Sequence, residues 1–77
     1  MFLDEFNGEL SLIMWDLDLE KRSEERALEI ISSLIDDFAV RFTSRADVVK
    51  YAADRIGKMH YAKAQRIAEQ VRKWGEL

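Results

Sequence analysis

Apolar side chains recur at intervals of three and four along most of the chain, and this spacing predicts three helices. The first runs over about residues 2–19. Phe2, Leu3, Phe6, Leu10, Ile13, Met14 and Leu17 share one face at about 100° per residue. Asp4 and Glu5 fall in its first turn, where carboxylates suit the helix dipole. Two features favour a β-hairpin instead. Asn7-Gly8 is a hairpin-turn dipeptide, and Trp15, Leu17 and Leu19 alternate with acids. On the helical reading, Leu12, Trp15 and Leu19 form a second apolar strip opposite the first. That strip is either a partner surface or a second core layer.

The second helix is expected over about residues 23–42. Ser23 is placed to cap it, with Glu24 and Glu25 at the positive end of the dipole. Ala27, Leu28, Ile30, Ile31, Leu34, Ile35, Phe38, Ala39 and Phe42 make an apolar face of about half the cylinder, wider than a surface helix needs. Asp36 and Asp37 are adjacent, so they diverge by about 100° and do not converge on one site.

The third element spans 44–74. Ser44 followed by Asp47 approximates a capping box. Val49, Ala53, Ile56, His60, Ala64, Ile67, Val71 and Trp74 hold one helical phase throughout, and the phase does not reset at Gly57. A continuous helix is therefore expected, with Gly57 costing roughly 1 kcal/mol relative to alanine. Such a helix would span about 46 Å, against about 30 Å for the second. Its last residues, with Ile67, Val71 and Trp74, would overhang the chain's own partner helix and call for a second subunit. A break at Gly57 is the alternative. The expected fold is thus one all-α domain over 1–77: a small antiparallel bundle of three helices, or four with that break, completed by dimerisation.

Composition narrows the function. The chain has 77 residues and no cysteine or proline, and no apolar run reaches the ~18 residues of a membrane span. The N-terminus carries acids where a secretory leader needs basic residues. A cytoplasmic, membrane-free protein is expected. Net charge is −3, yet residues 1–40 carry 11 acids and 3 bases while residues 41–77 carry 4 acids and 9 bases. Two halves attracting one another explain this most simply.

Candidate chemistry is sparse. His60 is the lone histidine and has no metal-ligand spacing around it; its place in the apolar strip predicts packing at an interface. The serines lack a nucleophile-elbow context, and no glycine-rich phosphate loop is present. No enzyme activity, cofactor or metal is expected.

Ala53–Gly57 resembles the part of a helix-turn-helix motif in which an alanine precedes the turn glycine by four. On that reading Arg55, Lys58, Lys63, Gln65, Arg66 and Lys73 are candidate nucleic-acid contacts, the cations meeting phosphate and Gln65 or Arg66 reading base edges. The motif expects apolar residues where Lys63 and Arg66 stand; a turn longer by one residue restores the register and places Ala64 and Ile67 inward. The leading expectation is therefore a non-catalytic, homodimeric interaction or regulatory protein with a protein partner. Its candidate interface is Leu12, Trp15, Leu19, His60, Ile67, Val71 and Trp74. A DNA-binding regulator is the alternative.

Overall fold

The computed structural model describes residues 2–41 and 44–75, with the side chains of Phe2 and Leu3 left aside. Phe42 and the joint residue Thr43, read above as the end of the second helix, lie outside the described residues. Among those described, the chain is entirely helical: α1 (Phe2–Asp18), α2 (Glu24–Ala39), α3 (Arg45–Gly57) and α4 (Ala62–Trp74).

The N-terminal segment forms a helix rather than a hairpin. Asn7 and Gly8 sit inside α1, and neither glycine of the helices has a positive φ. α1 ends on a Schellman arrangement: Lys21 N–H donates to Asp16 O at 2.9 Å and Glu20 N–H to Leu17 O at 3.1 Å. Glu20 occupies the left-handed position with φ of 60°. The two serines cap as expected. Ser23 Oγ accepts from Arg26 N–H at 3.1 Å, and Ser44 Oγ from Asp47 N–H at 3.2 Å. Each satisfies one of the amides that a helix start leaves without a partner.

The continuous third helix expected from phase does not form. α3 stops at Gly57, and Lys58 and Met59 close its end with bonds to Arg55 O and Ile56 O. The backbone is fully extended at Tyr61, with φ of −148° and ψ of 153°, before α4 starts. The Gln65 amide holds this break in place, donating to Gly57 O at 3.0 Å and Met59 O at 2.7 Å. Tyr61 anchors it to α1 by donating to Met14 O at 2.9 Å. Phase was a poor guide because Ile56 and Ala64 are eight residues apart. That spacing suits one face of a straight helix, and it equally suits the facing sides of two helices joined by a four-residue turn.

α4 then returns along α3. Gly75, just past its end, lies so close to Val49 that an added Cβ would sit 3.3 Å from Val49 Cγ1. Both helices bury small residues, Ala52 and Ala53 on α3 and Ala64 and Ala68 on α4, and a Cβ at Gly57 would stand 3.9 Å from Ala68 Cβ. α2 runs back along α1, so that Arg41 beyond its end pairs with Glu5 near the start of α1 at 3.6 Å.

One apolar core joins all four helices. α1 contributes Phe6, Leu10, Ile13, Met14 and Leu17; α2 contributes Ala27, Ile31, Leu34 and Ile35; Val48, Val49 and Ile56 come from α3, and Ile67 and Val71 from α4. Among the described residues no polar or charged side chain is buried. At one end Phe6 meets Phe38 edge-on at 5.3 Å and Tyr51 at 5.8 Å, tying α1, α2 and α3 together. Tyr51 also donates to Asn7 Oδ1 at 2.9 Å.

The overhang from which a dimer was inferred is therefore absent. Ile67 and Val71 are 1% and 0% exposed within their own chain, and Trp74 is half-buried against the same core.

Candidate functional site: the outer face of α1

The inner face of α1 is spent on the core, so the apolar residues on its other side have nothing of their own chain to bury against. Leu12 is 59% exposed, Trp15 62% and Leu19 50%. Gly8, Leu12, Trp15 and Leu19 follow one another at spacings of four, three and four. At 100° per residue they fall within about 60° of arc and cover roughly 16 Å of helix. Among the described residues, Val40 at the end of α2 is the other large apolar residue left in solvent.

Leu12 also borders an open groove between α1 and α2. Glu5, Gly8, Glu9 and Leu12 line it on one side, and Leu34, Asp37, Phe38 and Arg41 on the other, enclosing about 740 Å³. Leu12, Leu34 and Phe38 are its apolar lining. Its rim carries three carboxylates against one guanidinium, and that guanidinium is engaged with Glu5 and stacked 5.2 Å over the Phe38 ring. Gly8 opens the groove further, since a Cβ built there would meet nothing within 4 Å.

The electrostatics of α1 are one-sided. The helix holds five carboxylates and no basic side chain. Asp16 and Asp18 stand in its last turn, where the helix dipole is negative and cations are favoured. Asp16 is relieved by Arg22 at 3.2 Å. Glu9, Asp18 and Asp37 make no ion pair among the described residues.

The remaining candidate residues are scattered. His60 is exposed in the α3–α4 turn rather than packed in an apolar strip. Its expected place was a consequence of the unbroken helix. Of the nucleic-acid candidates, three are engaged within the chain. Lys63 donates to Leu17 O at 3.5 Å and pairs with Glu20 at 3.8 Å. Gln65 closes the end of α3. Arg66 grips Glu24 through two bonds of 2.9 and 3.1 Å, and these bonds draw the Glu24 carboxyl below its ordinary pKa against the opposing effect of burial. Arg55, Lys58 and Lys73 are exposed without an ion pair among the described residues.

The structural roles of Gln65 and Tyr61 were not legible in the sequence. No local pattern links a glutamine to carbonyls six and eight residues earlier, or a tyrosine to a helix end 47 residues away. Gly8 was noticed only as half of a turn dipeptide. Its place on the Leu12–Trp15–Leu19 face was legible from helical spacing alone.

Among the described residues no helix is long and apolar enough to cross a membrane, and no group of His, Cys, Asp or Glu is arranged to hold a metal ion. Comparison with known protein families, curated proteins and solved structures finds no match.

Proposed function

We propose that this chain is a non-catalytic, small helical interaction protein that regulates another protein by docking on it through the outer face of α1. The observation that carries the reading is the exposed Leu12–Trp15–Leu19 stripe on a helix whose other face already closes the core. Contiguous apolar surface of this kind marks interaction sites, and tryptophan is the residue type most enriched at their energetic centres. The stripe is on a regular helix whose side chains are spaced to enter a partner's surface one turn at a time.

Ile67 and Val71 serve the chain's own core and Trp74 is half-buried against it, so the candidate surface for a homodimer narrows to this same face. The helix-turn-helix alternative has less support. The break at Gly57 and the inward Ala64 and Ile67 suit it, but Lys63, Gln65 and Arg66 are engaged within the chain. A gel-shift series with random duplex at low salt is expected to show no complex at micromolar protein. A shifted band that fades steeply with salt would revive the DNA reading.

The docking reading is tested by capture from an extract of the native host with the wild-type chain and the triple variant Leu12→Ser, Trp15→Ser, Leu19→Ser. These side chains are exposed, so circular dichroism should show the fold retained. Proteins held by the wild type should be lost from the variant. An identical captured set from both would contradict the proposal.

A further inference from the structure

The acidity of α1 says what kind of partner the face accepts. Resting on the docking reading above, we propose that the occupant is a basic amphipathic helix of another protein, lying along α1 with its apolar side on Gly8, Leu12 and Trp15 and its lysines or arginines over Glu9 and Asp37.

Three observations converge on this chemistry. The first is charge. α1 has five carboxylates and no cation, and the groove beside it is lined by Glu5, Glu9 and Asp37 with Arg41 as its one base. Glu9 and Asp37 pair with nothing among the described residues. Two-fold pairing with a second copy would lay this acidic surface on itself, and like charges across an interface oppose association. A basic helix meets it with the opposite sign.

The second is shape. The groove is open, with Gly8 and Leu12 on its α1 wall and Leu34 and Phe38 on its α2 wall, and Trp15 and Leu19 extend the apolar line of Leu12 along α1 beyond it. An amphipathic helix is bound when it lays its apolar face on such a surface.

The third is Gly8. A glycine inside a helix destabilises it by roughly 0.5–1 kcal/mol relative to alanine. Nothing in the chain requires one here, because its φ is negative and an added Cβ would meet open space. A partner backbone approaching closely at the groove floor does require it.

The test uses the full chain carrying Trp74→Phe, which leaves Trp15 as the single tryptophan and lies outside the proposed face. It is titrated with three synthetic peptides: leucines at helical spacing with lysine elsewhere, the same leucines with glutamate elsewhere, and a scramble of the lysine peptide. Trp15 emission should shift to the blue with the lysine peptide, and the other two should bind at least about tenfold more weakly, a difference of roughly 1.4 kcal/mol. The double variant Glu9→Lys, Asp37→Lys should weaken the lysine peptide by about tenfold or more. Glu25→Lys, on the far side of α2, should leave it unchanged. Gly8→Leu should block the peptide while keeping the fold, since a Cβ at Gly8 meets no atom of the chain and the side chain would extend into the space beside the groove; circular dichroism checks that the fold is kept.

Several outcomes would overturn the inference. The glutamate peptide could bind as well as the lysine one. Glu25→Lys could weaken binding as much as the double variant does, showing diffuse attraction to an acidic protein. Sedimentation of the free chain could reveal a dimer that already buries Trp15, making a second copy the occupant. Each of these leaves the docking reading standing if the stripe variant still loses its captured proteins. Loss of that difference, by contrast, removes the docking reading itself.

Discussion

Two residues outside any apolar pattern decide where the helices stop. Glu20 takes the left-handed conformation that closes α1, a position where glycine carries no Cβ penalty. Its carboxylate recovers little, because its pairing with Lys63 is exposed and 3.8 Å long. Glu20→Gly is therefore expected to raise stability by roughly 0.5–1 kcal/mol in urea unfolding, with the m-value unchanged. A loss of stability would show that the Lys63 contact matters more than the strain. Gln65 has the opposite role. It donates to two carbonyls that the end of α3 leaves open, so Gln65→Ala should destabilise by about 1 kcal/mol. Amide exchange should rise locally around 57–62. Uniform exchange with no local rise would mean that the turn holds without it.

At the scale of elements, the sequence carried the fold where the code is local and failed where it is not. Both serine caps, the inner faces of α1 and α2 and the outer apolar strip of α1 were legible, because each follows from spacing within a single helix. The α3–α4 break was not. Its determinants are Gln65 reaching back to Gly57 and Met59, and Tyr61 bonded to Met14 on α1, and neither contact leaves a periodic trace. The glycine that drew attention to position 57 is the last residue of α3 with an ordinary negative φ, so it marks the break without requiring it. The candidate site divides in the same way. Leu12, Trp15 and Leu19 were found because α1 is a regular helix, whereas Ile67, Val71, Trp74 and His60 were assigned to an interface only through a helix that does not continue.

The Tyr61 link between the turn and α1 has a measurable signature. Burial pushes the Tyr61 phenol above its ordinary pKa, and the nearby negative charge of Asp18 adds to the effect. An unfolded tyrosine ionises near pH 10. The fold's preference for the neutral phenol thus contributes stability that is fully present below about pH 10 and is lost as pH rises through the higher folded value. Tyr61→Phe should cost roughly 1 kcal/mol at neutral pH, the worth of the hydrogen bond to Met14. The gap between wild type and variant should narrow as the solution becomes alkaline. A gap independent of pH would place the Tyr61 hydroxyl in solvent.

Across the whole molecule, the split between an acidic front and a basic back is resolved partly by contact between them. Arg41 with Glu5, Arg45 with Asp36, Lys63 with Glu20 and Arg66 with Glu24 all join the two halves. These pairs are solvent-exposed and worth between about 0 and 1 kcal/mol each, so they orient the halves more than they stabilise them. Of the acids without an ion pair among the described residues, Glu9, Asp18 and Asp37 lie on α1 and the groove beside it, where Leu12, Trp15 and Leu19 are also uncovered, while Glu25, Asp47, Asp54 and Glu69 stand elsewhere. Acidity and exposed apolar surface thus coincide on the outer face of α1. Photo-crosslinking in the native host tests most directly whether this face is the working surface, with a photoreactive residue placed at position 15 in one variant and at position 25 in another. Covalent adducts with a protein partner are expected from position 15 and not from position 25. Adducts from position 25 alone, or none from position 15 in a folded and expressed chain, would contradict docking through α1.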